Sequence, residues 1–211
     1  ICVDSGGFSE ISLFGKWTVS PKTYIEELKR LENLNLNFEW VAQQDLMCET
    51  TMLQKTGLSI EEHQNKTVEN FQTLRSLEHD FKVIPVLQGQ TIEEYINCLD
   101  KFESQGFDLR KEDIVGVGSV CRRNNTDEIK NIMKTLNQRD LKLHGFGVKS
   151  NGLKKYGEYL ESSDSLAWSA SARYKSPCKL CTIKKVKNCA NCLDFALKWR
   201  SKVMASIPES E

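Results

Sequence analysis

Ile1-Cys2-Val3-Asp4-Ser5-Gly6-Gly7-Phe8 is the stretch that best indicates the fold. Its apolar residues are typical of the end of a buried strand, and the two glycines indicate a sharp turn or a close approach of the backbone. Asp4 therefore stands at the carboxyl end of a strand, where parallel α/β enzymes place their chemistry. The alternative is an ordinary strand-to-turn junction in which Asp4 forms an Asx-turn.

The same pattern, an apolar run followed by polar or glycine residues, returns five more times along the chain. These runs predict strands at 38–42, 83–87, 114–117, 141–148 and 165–169. Helical segments separate them, and their expected capping residues are Ser20 (before Pro21), Ser59, Thr91 and Thr126. Strands that alternate with helices at this spacing predict a parallel sheet, with functional loops at the carboxyl ends of the strands.

The length of the chain limits how much of a barrel it can build. With 211 residues, of which 39% are hydrophobic, the chain has material for one core. A complete (β/α)8 barrel usually takes about 250 residues, whereas this sequence predicts six strands and opens in mid-strand. We therefore expect an N-terminally incomplete (β/α)8 TIM-type barrel over residues 1–173. A six-stranded open sheet is the competing fold.

The sequence gives no sign of a membrane segment or of export. It contains neither an apolar run long enough to span a membrane nor a signal peptide. We therefore expect a soluble, cytoplasmic protein with no membrane partner. Residues 206–211 are mostly polar, and we expect them to form a frayed tail.

The formal net charge of zero hides an uneven distribution of charge along the chain. Residues 1–172 hold 20 basic and 26 acidic residues, whereas residues 173–202 hold nine basic residues and one acid, Asp194. Such asymmetry suggests a polyanion bound at one end of an otherwise acidic body, and nucleic acid is the expected partner. The alternative is a solvated basic tail.

The basic stretch also contains two pairs of cysteines with the spacing of a metal site. Cys178 and Cys181 form the first pair and Cys189 and Cys192 the second, with seven residues between the pairs. Four thiolates at this spacing predict a closed, structural Zn²⁺ site in a zinc-binding segment at 174–205. Disulfides and an iron–sulfur cluster are the alternatives. The other cysteines are expected to be ordinary buried thiols: Cys2, Cys48, Cys98 and Cys121.

Five short motifs resemble those of the tRNA-guanine transglycosylases in order and spacing. They are Asp4-Ser5-Gly6-Gly7-Phe8, Gln44-Asp45, Val86-Leu87-Gln88-Gly89, Val117-Gly118-Ser119-Val120 and His144-Gly145-Phe146-Gly147-Val148. The resemblance runs from residue 1 to about residue 173, with a zinc-binding segment after it. The linking segments are more similar to the DpdA-type branch, whose members insert 7-deazaguanines into DNA. The resemblance implies a modified (β/α)8 barrel with a zinc insertion.

The chemistry that this resemblance implies is base exchange at a glycosidic bond. An aspartate attacks the sugar C1′ of a guanosine, guanine leaves, and a 7-deazaguanine base takes the sugar back from the enzyme. By its motif, Asp4 would be the general acid/base that handles the proton of the leaving and entering bases. DNA is the expected polymer and tRNA the alternative. A homodimer and a partner in a modification complex remain open.

The same resemblance implies which residues surround the base. Asp45 would accept hydrogen bonds from N1 and the exocyclic amine, while Gln88 and the backbone of Gly118 would face O6. Phe8 would stack on the base, and Ser5 would lie near the substrate. From the residues alone, Asp45 could instead be a helix N-cap, and Gln88 a turn residue at a strand end.

The nucleophile is where this sequence departs from the family. The family carries it as the second aspartate of a D-x-F-D stretch, and the corresponding stretch here is Asp164-Ser165-Leu166-Ala167. If Arg173 aligns with the arginine that closes that strand, Ala167 falls on the nucleophile position. Three residues along a strand span about 10 Å, so Asp164 can attack only if the strand register differs. We expect Asp164 to be the nucleophile; a nucleophile from elsewhere and a non-catalytic, nucleic-acid-binding partner subunit are the alternatives.

The three histidines receive no catalytic role from the sequence. His144 lies inside an apolar run, which is typical of a core histidine with satisfied hydrogen bonds. His63 and His79 lie on predicted helices, and we expect both to face solvent.

Overall fold

The computed structural model describes residues 1–123 and 126–207 and shows an α/β structure with parallel strands. The described part of the chain contains seven strands, each two or three residues long. They are β1 (Cys2–Val3), β2 (Trp40–Ala42), β3 (Val83–Ile84), β4 (Val86–Leu87), β5 (Val115–Val117), β6 (Leu143–Gly145) and β7 (Ser162–Ser163). The predicted α/β class with parallel strands is confirmed.

The strands lie side by side in the order in which they occur in the chain. One parallel ladder joins β1, β2 and β3, and a second joins β4, β5, β6 and β7. Pro85 separates β3 from β4 because proline has no amide hydrogen. Its carbonyl oxygen nevertheless accepts a 2.8 Å hydrogen bond from the amide of Gly116. The two ladders therefore belong to one continuous array of strands.

This sequential order distinguishes the array from a doubly wound sheet. Parallel crossovers are right-handed, so an order without a reversal places the connecting helices on one side of the strands. A doubly wound sheet reverses direction at a switch point, and no reversal occurs among the described strands. The order is that of a sector of a barrel. Within the described residues β1 and β7 each pair with one neighbour, so closure into a TIM-type barrel stays a prediction.

Ten α-helices occur in the described ranges, and the predicted capping residues begin four of them. The side chains of Ser20, Ser59, Thr91 and Thr126 each accept a hydrogen bond from the backbone amide three residues later. The helices are α1 (Gly7–Phe14), α2 (Pro21–Glu32), α3 (Thr50–Thr56), α4 (Ile60–Ser76), α5 (Ile92–Ser104), α6 (Asp127–Asn137), α7 (Ser150–Tyr156), α8 (Ala167–Arg173), α9 (Lys179–Ile183) and α10 (Leu193–Met204).

The main hydrophobic core lies between the strands and the helices. Val41 of β2 belongs to the same cluster of buried side chains as Phe71 of α4 and Phe102 of α5, whose ring centroids are 5.4 Å apart. Alternate residues of a strand point to opposite faces. Trp40 and Ile84 accordingly belong to a second cluster on the inner face of the array. The helices therefore cover one face of the strands, and the inner face is apolar as well.

The last predicted strand is wrong in position, and the difference decides where Asp164 lies. The sequence predicts a strand at 165–169, but α8 begins at Ala167 and the strand is Ser162–Ser163. Residues 165–169 contain no β-branched side chain, and the helix that they begin packs against α10. Asp164 therefore directly follows the last strand of the array.

Two histidines predicted to face solvent are enclosed instead. His63 is fully buried; its Nδ1 lies 2.8 Å from the carbonyl oxygen of Met47 and its Nε2 lies 2.7 Å from Oγ1 of Thr56. His79 lies beyond the end of α4 and stacks on Phe81, with ring centroids 5.3 Å apart. Burial of the His63 imidazole is favourable because both of its nitrogens find partners, in the loop that carries Met47 and at the end of α3. His79 is only half-buried, and its Nε2 lies 2.9 Å from the carbonyl oxygen of Leu74.

The four cysteines predicted to be buried thiols divide into three groups. Cys48 and Cys98 are buried, Cys121 is half-buried, and Cys2 is exposed. Cys2 departs from the prediction because β1 is an edge strand of the array, paired in the described part of the chain with β2 alone.

The predicted zinc-binding segment at 174–205 contains α9 and α10. α10 contacts α8, so the segment lies beside the strand array. The boundary between the two predicted domains stays a prediction. Most of the predicted frayed tail, residues 208–211, lies outside the described residues. Among the described helices, none has the length and apolarity needed to cross a lipid bilayer.

We expect Thr91→Ala to lower the free energy of unfolding by about 1 kcal/mol. The substitution removes the acceptor for the amide of Glu94 at the start of α5, a helix that brings Tyr95 into the core. Urea unfolding followed by circular dichroism measures the change. The control is Thr73→Ala at an exposed position inside α4, which should change the value by less than about 0.5 kcal/mol. Equal losses in both variants would contradict the capping role.

Candidate active site and four-cysteine cluster

A cavity of about 510 Å³ opens at the carboxyl ends of the strands. Its walls come from the segments that follow β1, β2, β5, β6 and β7. Parallel pairing brings these segments to one edge although they are far apart in sequence. Gln88 is the one residue predicted to surround the substrate that lies behind the cavity wall, and it is fully buried. The others line the cavity: Asp4, Ser5, Phe8, Asp45, Gly118 and Asp164.

The turn after β1 fixes the position of Asp4. Gly6 has a φ of 78°, in the left-handed region that a side chain would strain. It is the N-cap of α1. The Asp4 carboxylate accepts hydrogen bonds from the backbone amides of Ser5 and Gly6. The two residues that follow Asp4 therefore orient its carboxylate at the junction between strand and helix.

The pKa of Asp4 is raised above its ordinary value. Desolvation by the protein around the carboxyl group is the larger cause, although the residue is partly open to solvent, and the nearby carboxylate of Asp164 adds to it. The amides of Ser5 and Gly6 and the imidazole of His144 act in the opposite direction without cancelling the rise. A carboxyl group in this state keeps its proton closer to neutral pH, which is the property required of a general acid/base.

The pKa of Asp164 is shifted in the opposite direction, below its ordinary value. Partial desolvation by the surrounding protein opposes its ionisation, but the nearby His144 imidazole and a hydrogen bond from the amide of Gly147 outweigh this effect and lower its pKa. The Gly147 amide donates to Oδ1 at 2.9 Å, and His144 Nε2 lies 3.4 Å from the same oxygen. Asp164 thus loses its proton at lower pH than Asp4 does. Two carboxyl groups with divergent pKa values in one cavity are typical of an acid/base pair with separate roles.

Asp45 lies on the opposite wall and is almost completely buried. Ser5 Oγ donates to its Oδ1 at 3.3 Å, and Gln88 Nε2 donates to its Oδ2. Burial, reinforced by the charge of Asp4, raises the pKa of Asp45 to about 7. The side chain therefore changes charge near neutral pH. It caps no helix, because the next helix begins at Thr50.

Gln88 holds Asp45 in place. Its Nε2 donates a hydrogen bond to Asp45, and its Oε1 accepts a 2.6 Å hydrogen bond from Ser119 Oγ. Ser119 Oγ in turn accepts from the amide of Cys48 at 2.7 Å. This chain of hydrogen bonds joins the ends of three strands. Gln88 thus orients the carboxylate of Asp45 from behind the wall, whereas direct contact with O6 stays a prediction.

Gly118 leaves room for the side chain of Gln88. A Cβ atom at this position would lie 2.1 Å from Nε2 of Gln88. Its amide donates to the carbonyl oxygen of Leu87 at 3.0 Å, and its own carbonyl oxygen accepts from the Tyr95 hydroxyl at 2.6 Å. Both backbone groups are thus engaged within the protein. The absence of a side chain at Gly118 is what admits Gln88.

Phe8 supplies an aromatic surface at the rim of the cavity. Its side chain is 45% exposed. The guanidinium carbon of Arg122 lies 5.8 Å from the ring centroid, which is within the range of a cation–π contact. A partly exposed ring beside a polar cavity is suited to stacking on a planar ligand.

Two residues of the site were not predicted from the sequence. His144 is buried, as predicted for a core histidine, but its Nε2 faces Asp164. The side chain of Glu49 is 9% exposed and lines the cavity, with Oε1 3.2 Å from Cys121 Sγ and Oε2 3.6 Å from Arg122 Nε. The signal that could have indicated both residues is their place within or soon after a strand that carries a matched motif.

The four cysteines of the C-terminal segment form a cluster that can hold a metal ion. Their sulfur atoms all lie within 4.8 Å of one another, and Cys178 Sγ and Cys192 Sγ are 3.9 Å apart. A tetrahedral ion with metal–sulfur bonds of about 2.3 Å places its ligands about 3.8 Å apart. The amide of Cys178 donates to Cys189 Sγ at 3.1 Å. All four are free thiols in this structure, which disfavours the disulfide alternative.

The fold and the site define the class of protein. It is an α/β protein with parallel strands, a cavity of the kind found in enzymes at the strand ends, and a separate four-cysteine cluster. The family described as DpdA, DeoxyPurine in DNA protein A, matches residues 1–211. The chain belongs to this family. Membership supports a transglycosylase-type enzyme involved in the modification of deoxypurines in DNA. The curated proteins contain no match to the chain.

We expect Asp45→Asn to flatten the dependence of stability on pH. An unfolded aspartate protonates near pH 4, whereas folded Asp45 protonates at about 7. Between these values the folded protein binds more protons, so its free energy of unfolding falls as pH rises, by up to about 4 kcal/mol. Asparagine cannot ionise and removes this loss.

Urea unfolding at pH 5 and at pH 8 measures the effect. The difference between the two pH values should shrink in Asp45→Asn and stay unchanged in Asp100→Asn, which alters an exposed aspartate of α5. An unchanged difference in Asp45→Asn would show that the buried carboxyl group does not titrate in this range.

Proposed function

We propose that the protein exchanges guanine in DNA for a 7-deazaguanine base, of the preQ0 type, through a covalent bond between Asp164 and the sugar. One observation carries the proposal: Asp4 and Asp164 share a cavity, and their surroundings shift their pKa values in opposite directions. Base exchange needs an ionised nucleophile and a proton donor at the same time.

In the first step a carboxylate oxygen of Asp164 attacks C1′ of the target nucleotide. The bond between C1′ and N9 breaks, and its electron pair leaves with guanine. Asp4 gives its proton to the departing base. An ester between Asp164 and the sugar remains, and Asp4 is left as a carboxylate.

In the second step the 7-deazaguanine base enters the space left by guanine. Asp4 takes the proton from N9 of the entering base, and N9 attacks C1′. The bond between C1′ and Asp164 breaks, which restores the ionised nucleophile and the protonated Asp4. Two displacements at C1′ return the sugar to its original configuration.

The far wall of the cavity suits the edge of a guanine-like base. The guanine N1–H and exocyclic amine are adjacent donors, and each carboxylate oxygen of Asp45 has a second lone pair beyond the one used by Ser5 or Gln88. Donors of this kind favour the ionised form of Asp45, whose pKa of about 7 allows it at neutral pH. Phe8 stacks on the base. A cavity of about 510 Å³ is within the range of small-molecule sites.

The polymer reaches the cavity as an unstacked nucleotide, because C1′ of a paired guanosine is not open to attack inside a duplex. The basic stretch at 173–202 supplies the charge for the backbone: its nine cationic side chains are all exposed. Its single acid, Asp194, pairs with Lys198 at 2.9 Å. Binding to phosphates through such residues weakens steeply as salt rises.

The four-cysteine cluster is proposed to hold one structural Zn²⁺. The donor set is all sulfur, which suits Zn²⁺ and leaves no open position for a substrate. A backbone hydrogen bond from Cys181 is the largest of the effects that lower the pKa of Cys178, to about 7, and this favours a thiolate ligand. The cluster lies within the basic stretch, so the ion orders the part of the chain that contacts the DNA backbone.

We expect the protein to form a covalent adduct with single-stranded DNA, visible as a shifted band on a denaturing gel. Asp164→Asn should abolish the adduct, because an amide does not attack C1′. Asp4→Asn should slow its formation by roughly 100-fold or more, since the leaving guanine lacks its proton donor. Asp113→Asn, at an exposed aspartate away from the cavity, is the matched control and should behave as the wild type.

The same experiment with a tRNA transcript tests the alternative polymer. An adduct with tRNA and none with DNA would redirect the proposal to tRNA. If the wild type binds both polymers and forms an adduct with neither, the protein is a non-catalytic partner subunit.

We expect the purified protein to contain about one Zn²⁺ per chain, measured by mass spectrometry of the metal content. Cys189→Ser should lower the zinc content and increase protease cleavage after Arg173. Cys2→Ser changes an exposed cysteine outside the cluster and should retain the full zinc content. A metal-free wild type, or iron in place of zinc, would contradict the assignment.

A further inference from the structure

His144 has a fixed orientation beside the proposed nucleophile. It lies on β6 and is 3% exposed. The rings of Trp40 and Phe146 contact it edge-on, with centroid distances of 4.8 Å and 4.7 Å. A side chain enclosed on both sides in this way keeps one rotamer. Its two nitrogens therefore point to defined partners.

The first partner is Ser162 on the neighbouring strand. His144 and Ser162 are directly paired in the β6–β7 ladder, and Ser162 Oγ lies 2.8 Å from His144 Nδ1. A hydroxyl can donate or accept. If Nδ1 carries no proton, Ser162 donates to it and the ring proton lies on Nε2. If both nitrogens are protonated, Ser162 accepts. In both states Nε2 is a donor. The remaining tautomer, with its proton on Nδ1 alone, would turn the lone pair of Nε2 toward the Asp164 carboxylate and is disfavoured by repulsion.

The second partner is Asp164, two residues after Ser162. Nε2 of His144 is buried and makes no hydrogen bond within the described residues, and the acceptor that it faces is Oδ1 of Asp164, 3.4 Å away. The amide of Gly147 donates to the same oxygen at 2.9 Å. Both donors come from the end of β6 and both face Oδ1.

We infer that His144, oriented by Ser162, is the positioning residue that fixes the Asp164 carboxylate so that one oxygen is held and the other attacks. The inference rests on the proposed base exchange and goes beyond it, because the sequence motif assigns no role to this histidine. The imidazole touches neither sugar nor base and acts through Asp164. An imidazole N–H that faces the carboxylate favours the ionised form of the nucleophile.

The charged groups that face Asp164 make the effect measurable as a change in pH dependence. They are His144 on β6 and Asp4 after β1. Loss of the histidine raises the pKa of Asp164, since the ionised form loses the N–H that faces it. The acid limb of the rate profile should therefore move to higher pH. The pKa of Asp4, which the imidazole also lowers, should rise as well.

The test compares rates of adduct formation on single-stranded DNA for four proteins: the wild type, His144→Phe, His144→Gln and Ser162→Ala. His144→Phe keeps an aromatic ring between Trp40 and Phe146 but has no donor. We expect it to slow adduct formation roughly 10- to 100-fold with an unchanged Kd for DNA. His144→Gln places an amide donor near the Nε2 position and should recover most of the rate.

Ser162→Ala keeps the imidazole and loses only the group that orients it. Its backbone pairing in β7 is compatible with alanine, so the variant also serves if His144→Phe fails to fold. We expect adduct formation to slow about 3- to 10-fold, with the acid limb again displaced to higher pH.

The outcomes separate this inference from the proposed function. A wild type that forms no adduct overturns the base exchange and the inference together. A wild-type adduct formed equally fast by His144→Phe overturns the inference alone. Equal slowing in His144→Phe and His144→Gln would also overturn it, because ring packing rather than hydrogen bonding would then be responsible.

Discussion

Two residue pairs, His144–Ser162 and Gly145–Ser163, join β6 to β7 and decide where Asp164 emerges. Because both strands end at the same edge, the residue after Ser163 enters the cavity at which β1 delivers Asp4. The ladder is short, and within the described residues β7 has no second neighbour. The His144 side chain and the backbone amide of Gly147 therefore also help to hold Asp164 in position.

Three carboxyl groups around one cavity would repel each other if all were ionised, and the structure gives each a different environment. The amide of Gly147 and the imidazole of His144 lower the pKa of Asp164, and desolvation raises that of Asp4. Asp45, which lines the cavity beside Ser5 and Gln88, has a pKa of about 7. Because the three pKa values differ, one carboxyl group can gain or lose a proton without all three being negatively charged at once.

The sequence was sufficient for what depends on local pattern. Capping residues predicted the starts of four helices, and motif positions predicted residues that meet in one cavity. It failed where distant segments decide the outcome. β7 is polar and two residues long, so no periodicity reveals it, and only its partner β6 makes it a strand. His63 is buried because the loop that carries Met47 accepts its hydrogen bond.

The closeness of Gly118 and Gln88 constrains how this site can change through mutation. A side chain at position 118 would occupy the space of the Gln88 amide, so it becomes acceptable only after residue 88 has shortened. Shortening residue 88 first removes the donor that holds Asp45. Each single substitution therefore disturbs the wall that contains Asp45, and we expect the two positions to change together or not at all. Gly118 thus limits which mutations the site accepts, because Gln88, thirty residues earlier in the chain, occupies the space beside it.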